Sequence, residues 1–330
     1  MKARMTVPFE AAPFKRVIFL CILGALFTAV TGAAEQSVTD QLKRMSHAMR
    51  SLSYQGTLVY LHDNHLETLR VIHRVDHGRL HEQIVSLNGP LRTVTREQGQ
   101  VTCELANANP FSVKRHGVTL DLLRSEGFDP KALTAHYLIH PLGAARIAGR
   151  HTHVVGVIPR DELRYGYRFY VDQGTGLPLK SDLIGQTAEP IEQIMFTALT
   201  VLPAGTSVET KPEDAVREVG GPHPGATQEG QDPWQFTLLP AGFNLVMRDH
   251  WRDSAGQPVQ HFVLSDGLAS VSVYVENADP DGLQGSTRIG AIHAAGGRVA
   301  DHQVTIVGEV PAATVKAVLA GIRYRGPAKP

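Results

Sequence analysis

The chain has 330 residues, 42% of them apolar, and 32 basic against 32 acidic side chains. That is enough apolar mass for two ordinary cores, and there is no basic excess to make nucleic acid a natural partner. With two cysteines in the whole chain, a disulfide scaffold is excluded as well.

Residues 1–34 read as a secretory signal peptide rather than as part of the fold. Lys2, Arg4, Lys15 and Arg16 make a basic leader, residues 17–30 are a 14-residue uncharged run, and Thr31-Gly32-Ala33-Ala34 offers small residues for cleavage. A membrane-spanning helix needs about 20 apolar residues, so an uncleaved anchor is the weaker reading. Cleavage would leave 28 basic and 31 acidic residues, a net charge of −3, with Cys103 as the remaining cysteine. A soluble exported protein without an intrachain disulfide is expected.

From Ser37 the pattern is helical. Val38, Leu42, Met45, Met49 and Leu52 recur at three- and four-residue steps and form one apolar stripe over 37–52, with Ser37 placed to cap it. The chain then turns to strands at 57–61, 67–75, 81–87, 91–96 and 100–105, separated by HDNH, DHGR, NGP and EQGQ. Short alternating runs with turn residues between them are the signature of an antiparallel meander. Residues 111–158 are harder to read. Segments 118–124 and 130–137 fit short helices or a covering loop, and 145–158 returns to strand character.

The stretch YGYRFYVDQGTGLPLKSDLI, 165–184, reads as a hairpin. Tyr165, Tyr167, Phe169 and Val171 fall on one face, two glycines supply the turn, and Leu177, Leu179, Ser181 and Leu183 alternate on the return. Pro178 belongs near a strand start or at an edge, where its missing N–H does no harm. Residues 191–201 add another alternating segment.

Residues 205–233 contain nine Gly or Pro and no apolar period, with PEDAVREV alone able to make a helical turn. They form a linker. A second pattern starts at Trp234: WQFTLLP, a polar excursion MRDHWRDSAGQP, strands at 259–264 and 268–276, a strand pair over 298–307, and a closing helix at 311–322 with Val315, Val318, Leu319 and Ile322 on one face. The expected class is α+β, a strongly curved, half-open antiparallel barrel with helices in its mouth plus a smaller C-terminal α+β domain.

The chemical inventory is empty. His151 and His153 on a strand, and His136 and His140 at helical spacing, could each aim at one ion, but neither pair has the accompanying Glu or Cys of a zinc site. No G-x-S-x-G elbow, phosphate loop or dinucleotide fingerprint is present. Neither a catalytic residue nor a metal or cofactor is expected, and the chain reads as a binding protein.

The segments SYQGTLVYLH, LETLRVIHR, EQIVSLNGPLRTVTR, YRFYVDQGTGLPLKSDL, WQFTLLPAGF, HFVLSDGLASVSVYVE and HQVTIVGEVPAATVKAV, in this order, resemble the RseB/MucB family of periplasmic sigma-factor regulators. The resemblance implies a LolA/LolB-like lipid-sensing domain over 35–204, the linker, and a C-terminal partner-binding domain over 234–330. It also implies a periplasmic negative regulator of the envelope stress response. Such a protein binds the periplasmic domain of an RseA/MucA-type anti-sigma factor, shields it from site-1 proteolysis, and releases it when lipid or lipopolysaccharide fragments bind. The alternative is a periplasmic lipid or lipoprotein carrier of LolA/LolB type; homo-oligomerisation stays open. Leu58, Tyr60, Leu69, Val71, Tyr167 and Phe169 are candidates to line the lipid-facing side, against the plain alternative that they are core under helices. For the partner site the candidates are Arg248, Trp251 and Arg252, because Trp and Arg are common interface anchors, with burial of Trp251 as the competing reading.

Overall fold

In a computed structural model of the chain, the described residues are 28–77, 79–89, 92–97, 100–105, 108–114, 129–203, 217–218, 233–253 and 255–326. Most of the leader, the segment 118–124 and nearly all of the linker lie outside them.

A long helix, α1 (Thr28–Ser51), opens the described chain. It starts upstream of the expected Ser37 cap, because the preceding TAVTGAAEQ holds no proline and is rich in helix formers. Then come β1 (Ser53–His62), β2 (His65–Asp76), β3 (Arg79–Ser86), β4 (Arg92–Glu97), β5 (Gln100–Leu105) and β6 (Ala108–Lys114). They are followed by the single turn α2 (Pro130–Leu133), and by β7 (Tyr137–Ile147), β8 (Arg150–Pro159), β9 (Gly166–Asp172), β10 (Pro178–Ile184) and β11 (Pro190–Leu202). A two-residue strand, β12 (Arg217–Glu218), pairs in parallel with β6, so this part of PEDAVREV is extended and not helical.

These strands make one twelve-stranded sheet in the order β12-β6-β5-β4-β3-β2-β1-β11-β10-β9-β8-β7. Among the described residues β7 and β12 are its two ends, so the sheet is open and not a closed barrel. Its corners follow local chemistry. Asp63 and Asn64 both take positive φ between β1 and β2, as a two-residue hairpin loop demands and Asp and Asn tolerate. Gly176, at φ +83, closes the β9–β10 loop, where a Cβ would lie 3.2 Å from the Arg44 carbonyl oxygen of α1. His140 stands on β7, not on a helix, so its spacing from His136 carries no helix-face meaning.

Residues paired across an antiparallel ladder share a face. The stripe of α1, Val38, Leu42, Met45 and Met49, packs on one face of the sheet against Ile139, Val155, Val157, Phe169 and Val171. The hairpin at 165–184 is more buried than a half-wet strand. On the face opposite Phe169, the buried Asp182 carboxylate accepts from Gln193 at 2.8 Å and Tyr170 at 3.2 Å and pairs with Lys180 at 3.0 Å.

The second unit comprises β13 (Trp234–Phe236), β14 (Asn244–Arg252), β15 (Pro258–Ser265), β16 (Ser270–Asn277), β17 (Gly285–Ile289), β18 (Ile292–Val299), β19 (His302–Gly308), α3 (Ala312–Gly321) and β20 (Ile322–Tyr324). Six strands form a sheet in the order β14-β15-β16-β19-β18-β17, and β13 pairs with β20 beside it. Phe262, Val273, Ile306 and Ala295 share a face and, with Val315 and Val318 of α3 and Ile322, form the second core. The first half of the stretch read as a polar excursion, 247–252, belongs to the edge strand β14. Asp249, which falls between Met247 and Trp251 on one face of the strand, obscured its period.

The two units are joined by a buried polar knot. Arg164, after β8, donates to Asp266 of the β15–β16 loop at 2.6 Å and to the Ala241 carbonyl at 2.6 Å, with both side chains of the ion pair fully buried. Tyr137 also donates to Asp266, at 2.8 Å. Next to this knot, Leu268 of the second unit is buried in the cluster beneath α1.

Candidate functional site

Register carries all six expected lipid-lining residues to the α1-facing side of the large sheet. Leu58 pairs with Leu69 and Phe196, Tyr60 with Ile194, Ile194 with Ser181, Ser181 with Phe169, and Leu183 with Tyr167. They fall into two groups on that side. Phe169 and Tyr167, stacked at 5.4 Å between ring centroids, lie in the cluster under α1. Leu58, Leu69 and Val71 line an apolar cavity of about 30 Å³ together with Ile84, Leu179, Ile194 and Phe196, and Glu82 stands in its wall. Tyr60 packs at the margin of this second cluster and donates to Glu192 at 2.7 Å. Burial first, and then the Glu192 carboxylate, raise the Tyr60 pKa, so the hydroxyl stays a donor.

A cavity of that size holds about one small group, not a chain. Admitting an acyl chain therefore requires the covering elements to move away. Ala48 at the end of α1 belongs to the same cluster and Leu52 packs against it.

The partner candidates sit on β14. Among the described residues this strand pairs with β15 on one side only, which makes it an edge strand, the kind that presents backbone donors and acceptors for pairing. Arg248 pairs with Phe262 and Arg252 with Pro258, so both point to one side of the sheet, and Val246, Arg248, His250 and Arg252 are exposed. Trp251 pairs with Val259 and turns to the other side, where it meets His261 and Tyr274 edge-on at 5.9 and 6.3 Å. The structure thus unites the two arginines and separates Trp251, which is half-buried, from them. His261 and Tyr274, stacked at 4.5 Å, extend the Trp251 face into an aromatic row that the sequence reading missed, since strand neighbours cannot be seen from a single segment.

A second feature without a signal in either segment is the groove between the units, a cavity of about 590 Å³. Leu61, His62, Tyr165 and Glu192 face Arg288 and His293 across it. Glu192 bridges the units by accepting from the Ala291 backbone at 3.1 Å while holding Tyr60. Burial, with Glu309 and Glu192 nearby, raises the Tyr165 pKa to about 12. Among the described residues no group of three or more His, Cys, Asp or Glu could hold a metal ion.

Models of the MucB/RseB N-terminal domain and the MucB/RseB C-terminal domain match residues 37–216 and 228–323. The sigma factor AlgU regulatory protein MucB of Pseudomonas aeruginosa is 32% identical, over 92% of this chain and 96% of its own length. The sigma-E factor regulatory protein RseB of Escherichia coli K12 is 27% identical over the same shares. Among solved structures, the MucA/MucB complex of Pseudomonas aeruginosa contains a chain that superposes with a TM-score of 0.68 at 29% identity, covering 88% of this chain and 100% of that one. A crystal structure of MucB gives 0.64 at 30%, covering 88% and 98%. With the two family models matched in order over most of its length and a relative 32% identical over 92% of it, the chain belongs to the MucB/RseB family.

Proposed function

We propose that this chain is a periplasmic regulator that binds the periplasmic domain of a MucA/RseA-type anti-sigma factor, shields it from site-1 proteolysis, and releases it when lipid or lipopolysaccharide fragments occupy the large sheet. The observation that carries this reading is the match to a relative whose structure is a complex with MucA, at 29% identity over 88% of the chain. The α1-facing side of the sheet, with Leu58, Tyr60, Leu69, Val71, Tyr167 and Phe169, is the lipid-responsive surface in this reading. The β14 edge, with Arg248, Trp251 and Arg252, is the partner surface. Residues 1–34 act as the export signal, and units 35–204 and 234–330 divide sensing from gripping across the linker 205–233.

The energetics are modest. A ligand shifts a two-state equilibrium by its differential affinity, and a tenfold shift needs about 1.4 kcal/mol. Each buried methylene contributes about 0.8 kcal/mol, so two chain carbons buried only in the released state suffice. The test is protease protection. The anti-sigma periplasmic fragment is incubated with its protease alone, with this protein, and with this protein plus lipid. Protection that lipid removes supports the proposal, whereas cleavage at the same rate in all three mixtures refutes it. Size-exclusion chromatography of the same mixtures reads self-association.

A further inference from the structure

Beside the small apolar cavity, three polar side chains stand in a row on the α1-facing side. Tyr54 of β1 pairs with His73 of β2, and His73 with Glu82 of β3. One step along each strand toward the cavity come Gly56, Val71 and Ile84, and then Leu58 and Leu69. The greasy floor therefore ends at this polar row, and Glu82 itself lines the cavity.

The row is buried and poorly satisfied. Tyr54 and His73 are each 1% exposed, and their rings stack at 4.6 Å with 9° between planes. Among the described residues the Tyr54 hydroxyl and both ring nitrogens of His73 have no hydrogen-bond partner. The Glu82 carboxylate comes to 3.5 Å of His73 Nδ1, close enough for charge but too poorly aimed for a hydrogen bond. Buried polar atoms nearly always find a partner, and leaving one unmet costs free energy that an apolar replacement would not. Tyr54 remains a phenol at any physiological pH, since burial and then Glu82 push its pKa well up.

We propose that Tyr54, His73 and Glu82 form a hydrogen-bonding end-wall that selects, among apolar chains entering this cavity, those carrying an uncharged hydroxyl. The inference rests on the lipid-responsive reading above and specifies the ligand class for it. A hydroxyl both donates and accepts, so it suits a row whose carboxylate, Glu82, takes a donor at the cavity wall and whose phenol, Tyr54, lacks an acceptor. A carboxylate or phosphate at the same place would meet the Glu82 charge and is disfavoured. The hydroxyl comes either from the chain or from a glycerol-type headgroup entering first.

Three probes of equal acyl length separate these cases by displacement of an apolar fluorescent dye from the full-length mature protein. They are methyl dodecanoate, methyl 12-hydroxydodecanoate and monolauroylglycerol. We expect a hydroxyl-bearing probe to bind about tenfold more tightly than methyl dodecanoate, the equivalent of about 1.4 kcal/mol. A gain for the 12-hydroxy ester assigns the hydroxyl to the chain, and a gain for the glyceride assigns it to the headgroup. Tyr54→Phe, which keeps the ring stack, and Glu82→Gln should each erase most of the difference between the hydroxyl-bearing probe and methyl dodecanoate. Equal binding of all three probes overturns the end-wall and leaves the lipid reading standing. No binding by any probe removes the lipid reading and this inference with it.

Discussion

Replacing Arg164 with methionine should separate the unfolding of the two units. The guanidinium is fully buried and makes three kinds of contact: Asp266 at 2.6 Å, the Ala241 carbonyl at 2.6 Å and Asp161 at 3.0 Å. It also lies 5.5 Å from the Tyr137 ring centroid and 5.2 Å from that of Phe243, one ring from each unit. Removing one member of a buried pair typically costs about 3–5 kcal/mol, because the other charge is left uncompensated. Asp266 would keep the Tyr137 hydroxyl and the Leu268 and Ala269 amides at 2.7–2.9 Å, which puts the expectation near the lower bound, about 3 kcal/mol. At a urea dependence of about 2–3 kcal/mol/M the midpoint falls by about 1 M. Both tryptophans, Trp234 and Trp251, lie in the second unit, so their fluorescence follows that unit while far-ultraviolet circular dichroism follows the whole chain. In the unmodified protein the two signals should move together, and in Arg164→Met the fluorescence transition should part from the dichroism transition. Adding Asp266→Asn should recover at least about 1 kcal/mol, as coupled neighbours do. An Arg164→Met protein within about 0.5 kcal/mol of the parent, with coincident transitions, would refute the view that this knot joins the units.

Asp172 gives a pH prediction. Burial raises its carboxyl, but hydrogen bonds from Arg150 and Thr175 outweigh that and hold its pKa below the ordinary value. A lowered folded pKa stabilises above the unfolded value of about 3.9, and that stability is lost as pH falls through the folded value. The gap in urea midpoint between parent and Asp172→Asn should therefore be constant above about pH 4 and shrink in more acid solution; a gap that widens there contradicts the assignment. At Gly56 a Cβ would overlap the Ala198 carbonyl oxygen and touch the Phe196 ring at 3.0 Å. Gly56→Ala should cost about 1–3 kcal/mol and lower the melting temperature by several degrees, whereas Gly174→Ala, with its nearest atom at 3.5 Å, should change it little. For the proposed partner surface, Arg248→Ala with Trp251→Ala should weaken capture of the anti-sigma fragment by about 1–2 kcal/mol or more in calorimetry. Unchanged affinity removes β14 from the interface.

Most of the large sheet was legible because its strands are amphipathic. β1 to β5 fall within a few residues of the expected runs, and the hairpin at 165–184 pairs as its alternation implied. The missed strands share a different cause. β7 carries Pro141 and Gly143 across a bulge, as an end strand can, and β17 has all five residues exposed, so neither shows an apolar period. The end-wall was hidden for another reason: Tyr54, His73 and Glu82 meet only through two ladder registers, which depend on hairpin turns that pattern alone does not fix. Least visible was the knot. Arg164 and Asp266 are 102 residues apart, and each reads locally as an ordinary turn residue.

The strand order carries a consequence for how the molecule is made. β1 lies between β2 and β11, so two successive meanders, β1–β6 and β7–β11, are zipped along a single seam in mid-sheet. Ser53 pairs with Leu202 and His62 with Glu192, partners separated by most of the sheet's own sequence. During synthesis the first meander emerges with one flank of β1 unpaired and must wait for the second. Late, long-range closure of this kind folds slowly, and the bare flank is open to wrong partners in the meantime. The protein's vulnerability to misassembly thus concentrates along β1, before any of its regulatory work begins.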